Sequence, residues 1–554
     1  MDLVVNFLIF LLKYISIFIF FFFLGRTLII LFNIKNLKNI NIDYLKIFNL
    51  PINLFYPILG VILFGNILFI VNFIFPIGNN FLIFLVFSIQ LLNFMKKFNF
   101  NIENDFKYFI FTYIFINLIL LITSFNISFH YDAGFYHLNH QNWLRNSNII
   151  FGFVNIYWPY GIGSIYEYIS AALWFDRTFI LLHFVNLIFI WFFYSFLTYN
   201  LIKSKISFYK YSSLFILIFA ILDNFGVDGG RNGYIYIQGV GKQDITLGIL
   251  FYVLSIFLIN LISKTRFDKN ELYFLLITSL FLFQIKVSSV IIFFLLIIYI
   301  VKVKQNNLQS YFELIKLSSP FIVIGLLWIL KTYITTGCFI FPLTITCINN
   351  FEWYLIGSTE AFEYITTSFS NSYIIGQSFL IWVETLLSYQ IKRTVILNFI
   401  YSVCFLVVLK VVFFKRYKYS RQTLLFSTLF AILNITYLIF FGPEPRYFIG
   451  TGLFIVSIIS FNISDIRLKL SNNFLYLIIF LALFSLPRLD SYKSFNLSSI
   501  PTVPLQTTEY LNIDELWVYP KEGDKCWINL YCTLNKDKIS IDESNFYKKV
   551  YLNQ

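Results

Sequence analysis

The residues with the widest chemical reach lie in one stretch, His130-Tyr131-Asp132-Ala133-Gly134-Phe135-Tyr136-His137, which runs on through Asn139-His140-Gln141-Asn142-Trp143-Leu144-Arg145. An acid just past the end of an apolar run, followed by aromatic and polar residues at helical spacing, predicts a short helix in a membrane interface with Asp132 at its start. Two roles compete for Asp132: an N-cap that accepts from free N–H groups of the first turn, or a general base at a water–lipid boundary that takes the proton of an attacking hydroxyl. His137 and His140 share a helix face. With a carboxylate they are candidates for a divalent-metal site; as a bare pair they also suit a polar, partly solvated interface helix. Nothing in the sequence requires a metal or another cofactor.

The chain that must position these groups has 554 residues, 58% apolar and 12% charged, with 72 Phe and 38 Tyr. Ordinary globular domains are about a quarter charged, so too little polar surface remains for a soluble particle. The composition predicts an all-α integral membrane protein and argues against disordered, collagenous and nucleic-acid-binding classes. The net charge of +13 falls mostly in short loops between apolar runs, where topology and lipid headgroups account for it.

A span needs about 20 apolar residues, and candidate runs, some short or paired, lie near 5–32, 53–75, 81–95, 108–126, 177–200, 211–223, 244–262, 271–286, 288–301, 317–333, 391–413, 422–441, 446–463 and 472–487. That reading gives about 13 or 14 helices, with 271–301 either one broken helix or a hairpin around Lys286. The run at Met1 to Phe32 is too long for a signal peptide and reads as the first span. The basic loops, from Lys35 and Lys38 to Arg467 and Lys469, all fall on one side, which the positive-inside rule makes cytoplasmic. The N-terminus, the segments 127–176, 224–243 and 334–390, and the tail 488–554 then lie outside. No Walker-type loop occurs, so chemistry is expected on the outer side. The tail is expected to form a small α+β cap resting on the membrane domain, with a strand at Glu515-Leu516-Trp517-Val518-Tyr519. Of five cysteines, Cys338, Cys347 and Cys404 sit in or beside apolar segments. Cys526 and Cys532 look like a disulfide pair if the tail meets an oxidising compartment; a zinc site there would need further ligands.

The run from Asp132 through Tyr136-His137, Trp143, Gly152, Asn155 and Tyr160-Gly161 to Ser164 resembles the first outer loop of a family of uncharacterised bacterial multi-pass membrane proteins with a glycosyltransferase C fold. Gly241-Lys242-Gln243-Asp244, then Phe283, Gln284, Lys286, Ser288 and Ser289, then Thr336-Gly337 with Phe341-Pro342 and Phe351-Glu352-Trp353, then Pro443 to Phe448, resemble later family motifs in order, and Gly523 to Trp527 with Tyr531-Cys532-Thr533 resembles its tail. More remotely, the layout is similar to polyprenyl-phosphate-sugar-dependent enzymes such as protein O-mannosyltransferases and aminoarabinose transferases. The matches run from about residue 125 to the C-terminus and leave the first three spans unassigned; the expected division is N-terminal helices over 1–107, a core over 108–487 similar to the glycosyltransferase C fold with juxtamembrane helices in the first outer loop, and an outer cap over 488–554, in the bacterial inner membrane. It also implies that Asp132 is the essential acid. The Asp-Glu pair of many such enzymes is missing, because Ala133 follows Asp132.

The implied donor is a polyprenyl-phosphate sugar, the implied acceptor an envelope glycan, lipid or protein, and membrane lipids are the surroundings. A lipid phosphate needs cations where screening is weak: Lys242, Lys286, Arg446 and Arg231 are candidates, with snorkelling to headgroups as the competing role for edge residues. Lys286 stands inside an apolar run, a costly placement that marks function; Arg446 has Glu444 nearby as a salt-bridge partner. Asp223, Asp228 and Asp244 are further border acids, and Asp244 is an N-cap by position. Tyr136, His137 and His140 are assigned to the acceptor side, and Glu352 and Trp353 to sugar contact. A polysaccharide polymerase or ligase and a lipid-linked oligosaccharide flippase are the rival functions.

Overall fold

The computed structural model describes residues 2–32, 45–78, 106–175, 178–225, 239–264, 269–306, 308–348, 351–354, 359–364, 378–416, 421–441, 444–461, 463–466, 471–535 and 538–553. The span expected at 81–95 and the candidates Asp228 and Arg231 lie outside the described residues.

The chain is mostly helical. In order come α1 (Asp2–Phe32), α2 (Tyr56–Asn72), α3 (Lys107–Asn126), the short α4 (Leu138–Asn146) and α5 (Ile165–Ala172), then α6 (Ile180–Lys203), α7 (Ser207–Phe225), α8 (Asp244–Lys264), α9 (Lys269–Ile285), α10 (Ile292–Asn306) and α11 (Leu308–Thr336). After these follow α12 (Phe379–Ser388), α13 (Gln390–Phe413), α14 (Arg421–Phe441), α15 (Ile449–Ile459) and α16 (Asn472–Phe484).

Among the described residues seven helices are long and apolar enough to cross a membrane: α1, α3, α6, α8, α11, α13 and α14. Several other expected runs are shorter apolar helices, including Tyr56–Asn72, Val287–Val303, Pro445–Ile459 and Asn472–Phe484. The difference has a local cause. Apolar composition does not register where a helix stops, and the run over 271–301 stops at Lys286, whose backbone is extended at φ −159°, ψ 130°. Helix α12 falls inside 334–390, where the sequence predicts an outer loop.

Helices α6 and α8 bury every residue of their most apolar windows and form the centre. Helix α8 packs on α6, α9, α10, α14 and α15. Its approach to α15 requires Gly248 and Gly450: a Cβ on Gly450 would stand 2.9 Å from the Gly248 carbonyl oxygen. Small residues bring backbones together where apolar burial gives helices no preference for each other over lipid.

The C-terminal region carries a six-residue helix, Leu489–Ser494, and two antiparallel hairpins. These are β5 (Tyr510–Asn512) with β6 (Val518–Pro520), and β7 (Lys538–Asp542) with β8 (Lys549–Asn553), counted after the small pairs β1 (Lys46–Ile47) with β2 (Leu50–Pro51) and β3 (Phe414–Arg416) with β4 (Ile463–Ile466). The strand expected at 515–519 begins at Val518, because the Asp514 carboxylate caps a turn by accepting from the N–H groups of Leu516 and Trp517 at 2.8 and 2.7 Å. The tail rests on the segment 127–176: Val550 N–H donates to Phe151 O at 2.9 Å, Asn155 Nδ2 to Val550 O at 3.0 Å and Thr533 Oγ1 to Ile156 O.

Cys526 and Cys532 form the expected disulfide. Cys338 and Cys347 form a second one, which corrects the reading of both as unpaired. Gly337, at φ +81°, ends α11 and turns the chain back so that residues 338 and 347 face each other across an antiparallel bridge.

Candidate functional site

Asp132 is held by a short parallel pairing: His130 N–H donates to Val240 O at 2.9 Å and Val240 N–H to Ser128 O at 3.0 Å. This brings the loop before α8 against the helix that carries the acid. The helix opens as a π-turn, Ala133–His137, and continues as α4. Asp132 occupies the N-cap position without capping through its side chain. Its Oδ2 accepts from Lys242 Nζ, its Oδ1 lies 3.6 Å from His130 Nδ1, and its own N–H donates to that nitrogen at 3.2 Å. Burial opposes the charge of Asp132, but the Lys242 ammonium outweighs it and holds the carboxyl below its ordinary range. Burial, together with Lys242, pushes His130 down to about 4. A neutral His130 accepting at Nδ1 carries its proton on Nε2.

Lys242 is 7% exposed, and burial, with Arg446 nearby, lowers its pKa against the pull of Asp244 and Asp132. Its carbonyl accepts from Asn186 Nδ2 at 3.0 Å, and Asn186 Oδ1 in turn accepts from Tyr166 OH at 2.9 Å. The loop is thus fixed from α5 and α6.

Asp244 opens α8 and pairs with Lys286 at 3.3 Å. The break at Lys286 makes this pairing available, and the ammonium also lies 3.5 Å from the Tyr447 ring centroid. A cavity of about 20 Å³ beside this pair is lined by Asp244, Ser288, Ser289, Tyr447 and Thr451, among others. Glu444, expected to pair with Arg446, reaches Lys392 at 2.6 Å instead. Arg446 lies near Asp132, Asp244 and Lys242, close enough for their charges to act on one another. Its Nη2 touches Tyr447 OH at 3.4 Å, its Nε is buried without a partner, and among the described residues no carboxylate stands within ion-pair distance of it. Two carboxylates, Asp132 and Asp244, thus face three cations, Lys242, Lys286 and Arg446.

The histidines point elsewhere. His137 Nδ1 bonds Glu167 Oε1, whose Oε2 accepts from Gln141 Nε2 at 2.8 Å; Gln141 Oε1 accepts from Trp174 Nε1 at 2.9 Å. Burial opposes the Glu167 charge, but His137 outweighs it and keeps the carboxyl below its ordinary range. Sequence reading missed Glu167. The signal was its position as the lone acid in the short apolar helix α5. His140 is buried against Phe153 and Tyr160, and it acts on Glu167 through space while His137 bonds that carboxylate directly. Among the described residues no group of three His, Cys, Asp or Glu side chains is placed to hold a metal ion. Tyr136 lies against the His137 ring, and burial with Asp132 and Glu167 nearby pushes its hydroxyl pKa well up.

Glu352 is exposed. Trp353 is committed to packing: it stacks on Phe351 at 4.2 Å, meets Phe151 edge-on at 5.4 Å, and its carbonyl accepts from Asn155 Nδ2 at 2.9 Å. The loop closed by Cys526–Cys532 clamps the acid-bearing helix. Trp527 N–H donates to Gly134 O at 3.0 Å, Asn142 Nδ2 to Ile528 O at 2.8 Å and Asn139 Nδ2 to Asn529 O, while Tyr131 OH bonds Asp524.

Residues 7–453 match a protein family described as Domain of unknown function (DUF8201). The chain belongs to this family. The DUF8201 stretch holds Asp132, Glu167, Lys242, Asp244, Lys286 and Arg446, and ends before the tail that clamps them. No curated protein and no solved structure matches the chain.

Proposed function

We propose that this DUF8201 protein is a multi-pass membrane glycosyltransferase with a glycosyltransferase C-like fold, which moves a sugar from a polyprenyl-phosphate donor to an envelope glycan, lipid or protein. The observation that carries this reading is the charge imbalance beside Asp132. Among the described residues, Arg446 is half-buried and without a carboxylate at ion-pair distance, which leaves the cluster one positive charge in excess. A buried cation in excess is an electrostatic site for an anion, and it is strongest where water is scarce.

In this reading the donor phosphate settles on Arg446 and draws Lys242 from Asp132, which unmasks the base. Asp132 then takes the proton of the acceptor hydroxyl as its oxygen forms the new glycosidic bond. The sugar–phosphate C–O bond breaks, its electron pair leaves with the polyprenyl phosphate, and the cations stabilise the departing charge. Lys286 and Asp244 brace the far side. The outer-side placement of the site and tail is supported by the two disulfides, Cys338–Cys347 and Cys526–Cys532, since disulfides persist in oxidising compartments. The positive-inside reading of the basic loops expects the same segments on the outer side.

The test is transfer of labelled sugar from a panel of polyprenyl-phosphate donors by purified protein in lipid, wild type against Asp132→Asn. Loss of about a hundredfold, the scale of a missing general base, supports the reading. Equal transfer by both proteins removes Asp132 from the mechanism, and labelled lipid crossing the bilayer without transfer would favour a flippase.

A further inference from the structure

A second cation is buried beside Gly163 and His140. Lys331, on α11, is 3% exposed and has no hydrogen bond or ion pair among the described residues. It stands five residues before the end of α11 at Thr336, close enough to snorkel to a headgroup region. Its amine is turned inward instead. A Cβ built on Gly163 would collide with Lys331 Nζ and would lie 3.8 Å from His140 Cε1. The space that Gly163 leaves open is therefore shared by the ammonium and the imidazole. His140 is 2% exposed and likewise has no hydrogen-bond partner among the described residues. Glu167 acts on Lys331 through space, but its two oxygens are taken by His137 and Gln141. The Trp328 ring, 5.0 Å from Nζ, completes the wall.

This place is tied to the Asp132 cluster without being part of it. Ser164, the next residue after Gly163, donates to Gln243 Oε1 at 2.8 Å, and Gln243 follows Lys242. Asp132 and His140 are eight positions apart on one helical run, roughly 12 Å at the α-helical rise.

We infer that Lys331 and His140 form a second subsite, which takes an oxyanion of the acceptor, either a carboxylate or a phosphate. The acceptor is then an acidic glycan or glycolipid. A buried ammonium with no direct ion pair among the described residues supplies the charge, with Glu167 acting on it only through space, and the imidazole N–H supplies a second donor. This deepens the transferase reading and rests on it for the word acceptor.

The test is binding of three probes to the full chain in nanodiscs: octyl glucoside, octyl glucuronide and octyl glucoside 6-phosphate. Wild type should bind one charged probe about tenfold or more tighter than the neutral one, as a charge-assisted hydrogen bond requires. A preference for the glucuronide identifies the carboxylate, and for the 6-phosphate the phosphate. Lys331→Met should abolish the preference, Lys331→Arg and Arg446→Gln should keep it, and Gly163→Ala, which retains the lysine but fills the space, should abolish it too. The absence of a preference in wild type, its survival in both Lys331→Met and Gly163→Ala, or its loss in Arg446→Gln overturns the subsite. Probe binding needs no turnover. A Lys331-dependent preference in a protein that transfers nothing sinks the transferase reading alone, whereas transfer without any preference sinks the subsite alone.

Discussion

Ala133 and Gly241 face each other with no room between them: a Cβ built on Gly241, whose φ is +100°, would stand 2.9 Å from the Ala133 Cβ. The contact sets how closely Lys242 approaches Asp132, because each small residue is the chain neighbour of one partner. Gly241→Ala is expected to cost about 1–3 kcal/mol from backbone strain and overpacking, read as a lower Tm. Transfer should fall by about tenfold or more as the pair is pushed apart. An unchanged transfer rate in a destabilised protein would show that the spacing does not matter for the reaction.

If Asp132 is the base of the proposed transfer, its pair with Lys242 sets the acid limb of the rate. Lys242 is the main charge holding the Asp132 carboxyl down, so Lys242→Met should raise that pKa and move the acid limb of the transfer rate to higher pH. A limb that stays in place would remove Asp132 from the titrating step.

Arg446→Gln should weaken the donor, with KM for the polyprenyl-phosphate sugar rising about tenfold for the loss of one charge-assisted contact. A fall in kcat at constant KM would place the guanidinium at the transition state instead.

Acid should unfold the juxtamembrane segment before its carboxylates titrate. Burial pushes His140 down to about 3, so between pH 6.5 and that value the unfolded chain binds a proton that the folded one refuses, and stability falls as pH falls. At pH 4.5 the loss from this one group is on the order of 2 kcal/mol. The Tm of His140→Gln should therefore change less between pH 7.5 and 4.5 than that of wild type. Below about pH 4 the depressed carboxylates Asp132 and Glu167 add their own losses.

Removal of the Cys526–Cys532 bridge, by Cys526→Ser with Cys532→Ser, should cost about 2 kcal/mol for a loop this short. Transfer should fall with it, because the loop holds Gly134, Asn139 and Asn142 of the acid-bearing helix. Full activity in the double variant would leave the clamp with a purely stabilising part.

Much of this protein was legible without coordinates. Among the described residues the expected apolar runs are helical, and seven of those helices are long and apolar enough to cross a membrane, where a helix is how a single segment satisfies its own backbone hydrogen bonds. Asp132, Lys242, Asp244, Lys286 and Arg446 were found as charged residues beside or within such runs, where charge is costly and therefore informative. Their pairing was not legible. Lys242 reaches Asp132 across 110 positions and Lys286 reaches Asp244 across 42, separations set by how α8 packs and not by any local spacing. The same holds for Cys338 and Cys347, whose surroundings read as apolar until Gly337 turned them toward each other. Glu167 and Lys331 each carried a signal, a charge in an otherwise apolar stretch, but what each one faces is set by the packing and not by its own helix. Composition and hydrophobic runs act over a few turns of chain and determine elements; which charges are left without partners is a property of the assembled packing, and the tertiary structure alone decided it.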